Sequence, residues 1–209
     1  MSLVVDSVTL GEFDTNCFVV RATPEDTDVT LIDPGAEPDL LWAELQRLRV
    51  RPVGILLTHT DADHVGAVAD MAERSGAGVW CPSAEASVLR DPQVSLRPLA
   101  RTSGLRPYDP EHLVSGGDRI DVAGITFDVL DVPGHSAGHI AFYAGGCLFS
   151  GDLLFAGSIG HARHAGGDWE TLLTSVRLVM EAFPPETVVY PGHGPATTLG
   201  DERANVPAA

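Results

Sequence analysis

Seven histidine and aspartate residues have the types and the spacing of metal ligands: His59, Asp61, Asp63, His64, His135, Asp152 and His193. Imidazoles together with carboxylates suit zinc, manganese or iron, whereas an all-oxygen set would suit magnesium or calcium. A carboxylate such as Asp152 can offer one oxygen to each of two ions, which holds the ions about 3.5–4 Å apart and lets a shared water ionise near neutral pH. We therefore predict a two-metal site with an activated water as nucleophile, in which Asp63 and Asp152 are the catalytic carboxylates.

Each of these residues follows an apolar run that is typical of a β-strand. The first four come after ILLT, and the other three come after FDVLDVPG, CLFSG and VVYPG. A single buried His or Asp usually satisfies ordinary hydrogen bonds and nothing more. Four strand ends that meet at one place would instead bring all seven side chains into one loop-lined cleft.

Covalent catalysis is disfavoured by what the chain lacks. All 13 basic residues are arginine, which excludes a Schiff-base lysine. Ser150 lies in FSG, without the first glycine of a GxSxG nucleophile elbow. Cys17, Cys81 and Cys147 stand far apart in apolar stretches with no CxxC pair, so we expect buried structural thiols.

Length and charge limit the possible partners. A chain of 209 residues, 44% of them hydrophobic, predicts one domain over residues 1–209. The net charge of −16 repels polyanions, so nucleic acid is not expected as a partner. No apolar run approaches the roughly 20 residues of a membrane span, and the N-terminus has no basic start. We expect a cytoplasmic monomer or homodimer with a small-molecule substrate and no membrane partner.

The hydrophobic pattern alternates between strand-like and helical spacing along the first half of the chain, which predicts the elements that position the ligands. LVVDSVTL, NCFVVRA and DVTLIDPG indicate a meander of three strands, with a DPG turn at residues 33–35. Leu41, Leu45 and Leu48 recur at helical spacing, and VGILLT is typical of a strand buried on both faces. A helix over about residues 64–74, the strand AGVWCP and a short helix over about residues 84–89 follow.

The second half has the same organisation. DRIDVA, ITFDVLDV and HIAFYAGGCLFS indicate strands, followed by a helix over residues 169–182 and the strand TVVYPG. Thr198, followed by Asp201 or Glu202 as the reciprocal capping residue, predicts the N-cap of a short closing helix. Two such halves can bury their sheets face to face and cover the outside with helices. The predicted fold class is α/β, a four-layer αββα sandwich.

Substrate contacts are expected from two loops. Residues 91–111 contain four prolines and little periodicity, and a loop of that length is usually a lid or a binding segment. The residues that flank the expected cleft are Arg97, Arg101, Arg106, His161, Arg163 and His164. The three arginines of the first loop are candidates to bind an anionic part of the substrate. His139 is expected to orient a ligand or cap the next strand, and His112 is expected at the surface.

These motifs resemble the metallo-β-lactamase superfamily over nearly the whole chain. The matching pieces are TLIDPGA, THTDADHVGA, PGHSAGHI, SGDLLFAGSIG, GGDW and YPGHGPATTLGDERANVP. They are most similar to the glyoxalase II (hydroxyacylglutathione hydrolase) group, which implies thioester hydrolysis with two metals, zinc before iron or manganese. The resemblance implies His59, residue 61 and His135 at a first metal, Asp63, His64 and His193 at a second, and Asp152 as the bridge.

The chain departs from the family pattern at three places. The second histidine of the H-x-H-x-D-H signature is Asp61, which adds negative charge and a harder oxygen to the first metal site. That site is therefore expected to bind metal more weakly than the second and to tolerate iron or manganese. A GRTD-like segment is replaced by GHAR, so His161 stands where arginine is common. No lysine is present to bind the glycine carboxylate of glutathione, so the resemblance does not imply glutathione specificity.

The leading hypothesis is hydrolysis of a small thioester, because a thiol with a pKa near 8.5 leaves as a thiolate without help from a general acid. Lactone hydrolysis is a near neighbour of this reaction. A single iron held by His59, His135 and Asp152 would instead indicate a persulfide dioxygenase. A non-catalytic metal-binding scaffold is the third class, if Asp61 has disabled the first site.

Overall fold

Two six-stranded β-sheets form the centre of the structure, a computed structural model that describes residues 3–92, 105–162 and 166–207. The strands are β1 Val4–Leu10, β2 Thr15–Arg21, β3 Asp28–Ile32, β4 Arg51–Leu56, β5 Gly78–Pro82, β6 His112–Val114, β7 Arg119–Val122, β8 Ile125–Asp131, β9 Ile140–Ala144, β10 Cys147–Gly151, β11 Leu154–Phe155, β12 Ser158–Ile159, β13 Val188–Pro191 and β14 Thr197–Thr198. The α-helices are α1 Pro38–Leu48, α2 Ala62–Val65, α3 Val68–Ser75, α4 Ala86–Arg90, α5 Trp169–Ala182 and α6 Leu199–Glu202.

Each large sheet mixes antiparallel and parallel pairs. The first sheet runs in chain order from β1 to β6, antiparallel up to β3 and parallel from β3 onwards. The second has the order β14-β13-β10-β9-β8-β7, and its parallel pair is β10 with β13. A parallel pair needs a crossover connection, and α1 and α5 lie in two of these crossovers.

Three hydrophobic cores separate four layers. Ile55 and Leu57 pack in the core that contains residues of α1 and α3, whereas Leu56 between them packs in the core shared by the two sheets. Alternate side chains of a strand point to opposite faces of the sheet, which explains why this stretch is apolar throughout. The third core joins the second sheet to α5, through residues such as Leu148 and Val176. The layers are therefore helix, sheet, sheet and helix, which confirms the predicted αββα sandwich.

Two predicted elements are wrong in their continuity. The helix over residues 64–74 is interrupted between α2 and α3, where the absence of a Cβ on Gly66 lets the chain approach the carbonyl oxygen of Gly35. Ala67 N donates to Pro34 O at 3.0 Å, so the chain bonds to the neighbouring loop there. HIAFYAGGCLFS is a hairpin of β9 and β10, because Gly145 and Gly146 adopt φ of 55° and 84°. Such a two-residue turn matches the twist of the strands it joins.

Other local predictions are confirmed. Helix α5 has the predicted bounds, and Thr198 caps α6 by accepting a hydrogen bond from Asp201 N. The three cysteines are buried and unpaired, and burial raises the pKa of Cys81 to about 12. None of the helices in the described part of the chain has the length and apolarity that a membrane span requires.

Candidate metal centre

The loops that follow β4, β8, β10 and β13 meet and bring the predicted metal ligands together. Three sets of side chains offer ligand atoms that all lie within 4.8 Å of one another, one of them Asp33 with His59 and His64. The other two consist entirely of predicted ligands: His59, His135 and Asp152, and Asp63, His64 and His193. We call them the first group and the second group. A mixed set of imidazoles and carboxylates at this spacing has the chemistry of a transition-metal site.

Asp152 lies between the two groups. Its Oδ1 is 3.4 Å from His64 Nε2, and its Oδ2 is 3.7 Å from His135 Nε2 and 3.5 Å from His193 Nε2. Gly192 makes room for this arrangement, because a Cβ there would lie 2.2 Å from Asp152 Oδ1. One carboxylate thus faces ligands of both groups, which is the position that a bridging ligand requires.

Buried polar atoms in these groups fit a metal centre. His59 Nε2, His64 Nε2 and Asp152 Oδ1 are buried and have no hydrogen-bond partner among the described residues. Leaving a buried polar atom without a partner costs about 1–3 kcal/mol, so unpartnered atoms in one cluster call for a ligand. Three lone-pair donors that converge in this way suit one or two cations, and the residues present fit the implied metals.

Asp61 faces the first group. Its Oδ2 is 3.2 Å from His135 Nε2 and 3.8 Å from His59 Nε2, with the side chain 25% exposed. The carboxylate therefore occupies the space beside the two imidazoles, where the family pattern has a third imidazole. This placement is compatible with a metal ligand and gives the first group two carboxylates in contact range.

Two hydrogen-bond relays orient the buried histidines. The Asp33 side chain, in a residue that is 2% exposed, accepts from Thr58 Oγ1 at 2.6 Å and from His64 Nδ1 at 3.0 Å. Thr58 Oγ1 in turn accepts from His59 Nδ1 at 2.9 Å. Asp33 thus orients one ligand of each group, His64 directly and His59 through Thr58. In both rings Nδ1 is engaged by this relay, so Nε2 is the nitrogen available to a metal.

Backbone carbonyls orient the other two histidines in the same way. His135 Nδ1 donates to His161 O at 2.7 Å, and His193 Nδ1 donates to Phe13 O at 3.0 Å. Thr15 Oγ1 donates to Asp63 Oδ2 at 2.8 Å. The turn between β1 and β2 and the first residue of β2 therefore position part of the second group from the far end of the chain.

Opposite charges in the second group shift pKa values strongly. Burial alone would lower the pKa of His193, but hydrogen bonds and charge from Asp152 and Asp63 raise it to about 10. Burial would likewise lower the pKa of His64, yet Asp152 and Asp33 raise it well above its usual value. Because a histidine must give up its proton to bind a metal at that nitrogen, metal uptake by these residues would release protons and would strengthen as pH rises.

Two of the six predicted substrate residues, Arg106 and His161, lie in the described part of the chain, and their contact with a substrate stays a prediction. Arg106 pairs with Glu73 at 2.6 Å and with Asp70 at 3.4 Å, both on α3, so its charge is already matched by carboxylates. The His161 side chain is exposed, and the contact it makes with the metal centre is through its backbone carbonyl. The remaining four candidates lie outside the described residues: Arg97, Arg101, Arg163 and His164.

The two other histidines are also placed. His139 is 1% exposed and packs its ring 4.9 Å from that of His59, but its ring nitrogens have no hydrogen-bond partner among the described residues. Its contact with His59 is therefore through ring packing, and the expectation that it orients a ligand or caps the next strand stays a prediction. His112 is exposed, as expected, and stacks on Trp80 with ring centroids 4.2 Å apart.

Asp33 and Glu85 were not predicted as parts of the centre. The sequence pattern indicates only a turn at Asp33, although an acid directly after a buried strand, within the matching piece TLIDPGA, was an available signal. Glu85 carries no comparable signal. It is 7% exposed and accepts hydrogen bonds from Thr60 and Gly138, which lie 25 and 53 residues away in the chain.

Comparison with known proteins agrees with this geometry. The Lactamase_B family model, the metallo-beta-lactamase superfamily, matches residues 10–193. The hydroxyacylglutathione hydrolase GloC of Haemophilus influenzae is 30% identical over 209 residues, covering 97% of this chain and 96% of that protein. The structure of the BLEG-1 B3 metallo-beta-lactamase has 34% identity and a TM-score of 0.88, covering 98% of both chains. The structure of TTHA1623 in a di-iron-bound form has 40% identity and a TM-score of 0.82, covering 97% of this chain and 99% of that one.

The chain therefore belongs to the metallo-β-lactamase superfamily. Its fold is the fold of that superfamily, and it is a metallo-hydrolase with histidine and aspartate clusters that could hold metal ions.

Proposed function

We propose that the protein hydrolyses a small, weakly charged thioester at a two-metal centre. The observation that carries this proposal is the position of Asp152 between two groups of potential ligands. A single-iron oxygenase needs only the first group, whereas the second group supplies two further imidazoles and Asp63. Similarity to a hydroxyacylglutathione hydrolase supports the thioester among the hydrolytic alternatives.

The division of work between metals and protein follows from the geometry. When bound, two divalent ions would polarise the acyl carbonyl and supply an ionised water as nucleophile. Asp33, directly and through Thr58, and the carbonyl groups of Phe13 and His161 engage Nδ1 of the four imidazoles, so that Nε2 of each would be free to hold an ion. A thiolate leaves without a proton donor, because thiols have a pKa near 8.5, so the reaction does not require a lysine, of which the chain has none.

Charge favours a substrate with few negative groups. Asp63 and Asp152 of the two groups and the neighbouring Asp61 together carry three negative charges. These would offset most of the positive charge of two divalent ions. The chain as a whole carries −16 and so repels anions from a distance. A coenzyme A thioester is a polyanion and should therefore be a poor substrate, whereas an uncharged N-acetylcysteamine thioester should be a good one.

A substrate panel with metal analysis tests the function. Protein purified without added metal is analysed for its elements and then assayed on N-acetylcysteamine, glutathione and coenzyme A thioesters, a lactone and a persulfide with oxygen uptake. We expect thioester turnover that a chelator abolishes and added zinc restores, with the uncharged thioester favoured in kcat/KM. Oxygen uptake with persulfide by a one-iron form, or fully metal-loaded protein without turnover of any thioester, would overturn the proposal.

We further propose that Asp61 is a ligand of the first metal and that a hard carboxylate oxygen in place of an imidazole makes this site the weaker of the two for zinc. Accumulated carboxylate charge reduces the acidity of a metal and raises the pKa of a water bound to it. The di-iron form of a structure that is 40% identical supports tolerance of iron in such a centre.

Asp61→His is therefore expected to raise zinc occupancy of the first site and to lower the pH at which hydrolysis reaches its plateau. Metal content after dialysis and a pH profile of kcat measure both effects. Asp70→His, on α3 at a residue that pairs with Arg106, is the control for adding a histidine outside the two groups. Identical metal content and pH profiles in the wild type and Asp61→His would show that Asp61 is not a ligand.

A further inference from the structure

Glu85 is a buried carboxylate that the proposed chemistry does not use. It occupies the N-cap position of α4, but its side chain accepts no hydrogen bond from that helix. Instead Oε2 accepts from Thr60 N at 2.7 Å and Thr60 Oγ1 at 2.9 Å. Oε1 accepts from Gly138 N at 3.0 Å and from the hydroxyl of Ser136.

These donors belong to the two loops that carry the first metal's ligands. Thr60 stands between His59 and Asp61, and Ser136 directly follows His135. Gly138 lets the second loop approach, because a Cβ there would lie 2.6 Å from Glu85 Cγ. One side chain thus ties the β4 loop to the β8 loop at the residues adjacent to the ligands.

We propose that Glu85 is the positioning residue of the first metal site, holding His59 and Asp61 in register with His135. This inference rests on the two-metal centre proposed above. A carboxylate suits the position because it only accepts hydrogen bonds, and it meets four donors, two on each oxygen. A glutamine would turn its amide N–H groups towards one pair of donors and would leave buried N–H groups unsatisfied.

Glu202 offers a matched control. It is 3% exposed and is also a buried carboxylate clamp, accepting from Gly157 N, Thr197 Oγ1 and Asn205 Nδ2. None of these partners adjoins a ligand of the first group in sequence. Glu202→Gln therefore reproduces the cost of a buried amide without touching the β4 and β8 loops.

The experiment compares Glu85→Gln, Glu202→Gln and the wild type in the full chain. Chelator competition with zinc gives the two dissociation constants, and amide hydrogen exchange is measured on the metal-free proteins. We expect Glu85→Gln to weaken the weaker site by about 10- to 100-fold, the usual effect of losing a partner behind a ligand, and to leave the tighter site unchanged. Exchange should rise at Thr60 and Gly138, whereas Glu202→Gln should raise it at Gly157 alone. If Glu85→Gln does not fold, Ser136→Ala is tested in its place. This milder change should weaken the same site by a smaller factor.

The result that overturns the inference is distinct from failure of the proposed function. Wild-type first-site affinity in Glu85→Gln, or equal weakening by both glutamine variants, would show that Glu85 has no specific positioning role. If the wild type binds no zinc, the two-metal proposal fails. Exchange at Thr60 and Gly138 then still decides whether Glu85 holds the two loops together.

Discussion

Asp152→Asn is expected to remove one of the two metals and to lower kcat/KM for the best thioester by more than about 100-fold, beyond the usual cost of losing an indirect partner. Asp152 is the carboxylate that faces His64, His135 and His193, so it contacts both groups. An asparagine keeps the shape but loses the charge and offers only one acceptor oxygen. Two cations about 3.5–4 Å apart would then repel each other without a bridging anion between them.

Metal content and steady-state kinetics measure this change. Asp28→Asn is the control, because Asp28 forms an exposed ion pair with Arg51 away from the two groups. Exposed pairs contribute about 0–1 kcal/mol, so this variant should keep its metals and its turnover. Two metals and normal kcat in Asp152→Asn would contradict the bridging role.

Asp33→Ala is expected to weaken both metal sites, each by about 10- to 100-fold. Asp33 contacts none of the Nε2 atoms that would bind the ions. It instead orients the rings from behind, His64 directly at Nδ1 and His59 through Thr58. The loss also leaves the buried Thr58 N–H, which donates to Asp33 at 2.8 Å, without an acceptor. An unsatisfied buried group costs about 1–3 kcal/mol, so the metal-free protein should be less stable as well.

The control separates metal loss from destabilisation. Asp168 caps α5 by accepting from Thr171 N at 2.7 Å, and removing such a cap costs about 1 kcal/mol. Asp168→Ala should therefore lower the free energy of unfolding without changing either zinc dissociation constant. The role assigned to Asp33 is wrong if Asp33→Ala affects one site alone, or if Asp168→Ala weakens zinc binding to the same degree.

Much of the centre was predictable from order along the chain. Ligand type and placement after apolar runs are local properties, so His59, His135, Asp152 and His193 could be grouped before their distances were known. The bounds of α5 were predictable for the same reason, because its cap and its apolar stripe lie within the helix itself. The sandwich follows from alternation, since Leu56 and Ile55 must face different layers.

The tertiary structure alone decided which groups support the ligands. Asp33 reaches Thr58 across 25 residues and His64 across 31, and Glu85 reaches Gly138 across 53. The break between α2 and α3 likewise involves the Pro34 carbonyl, which accepts from Ala67 N and lies outside the helical pattern of residues 64–74. A buried acceptor pairs with whichever donors the packed layers bring to it. Spacing along the chain specifies the strands and their ends, but these pairings exist only once the two sheets have met.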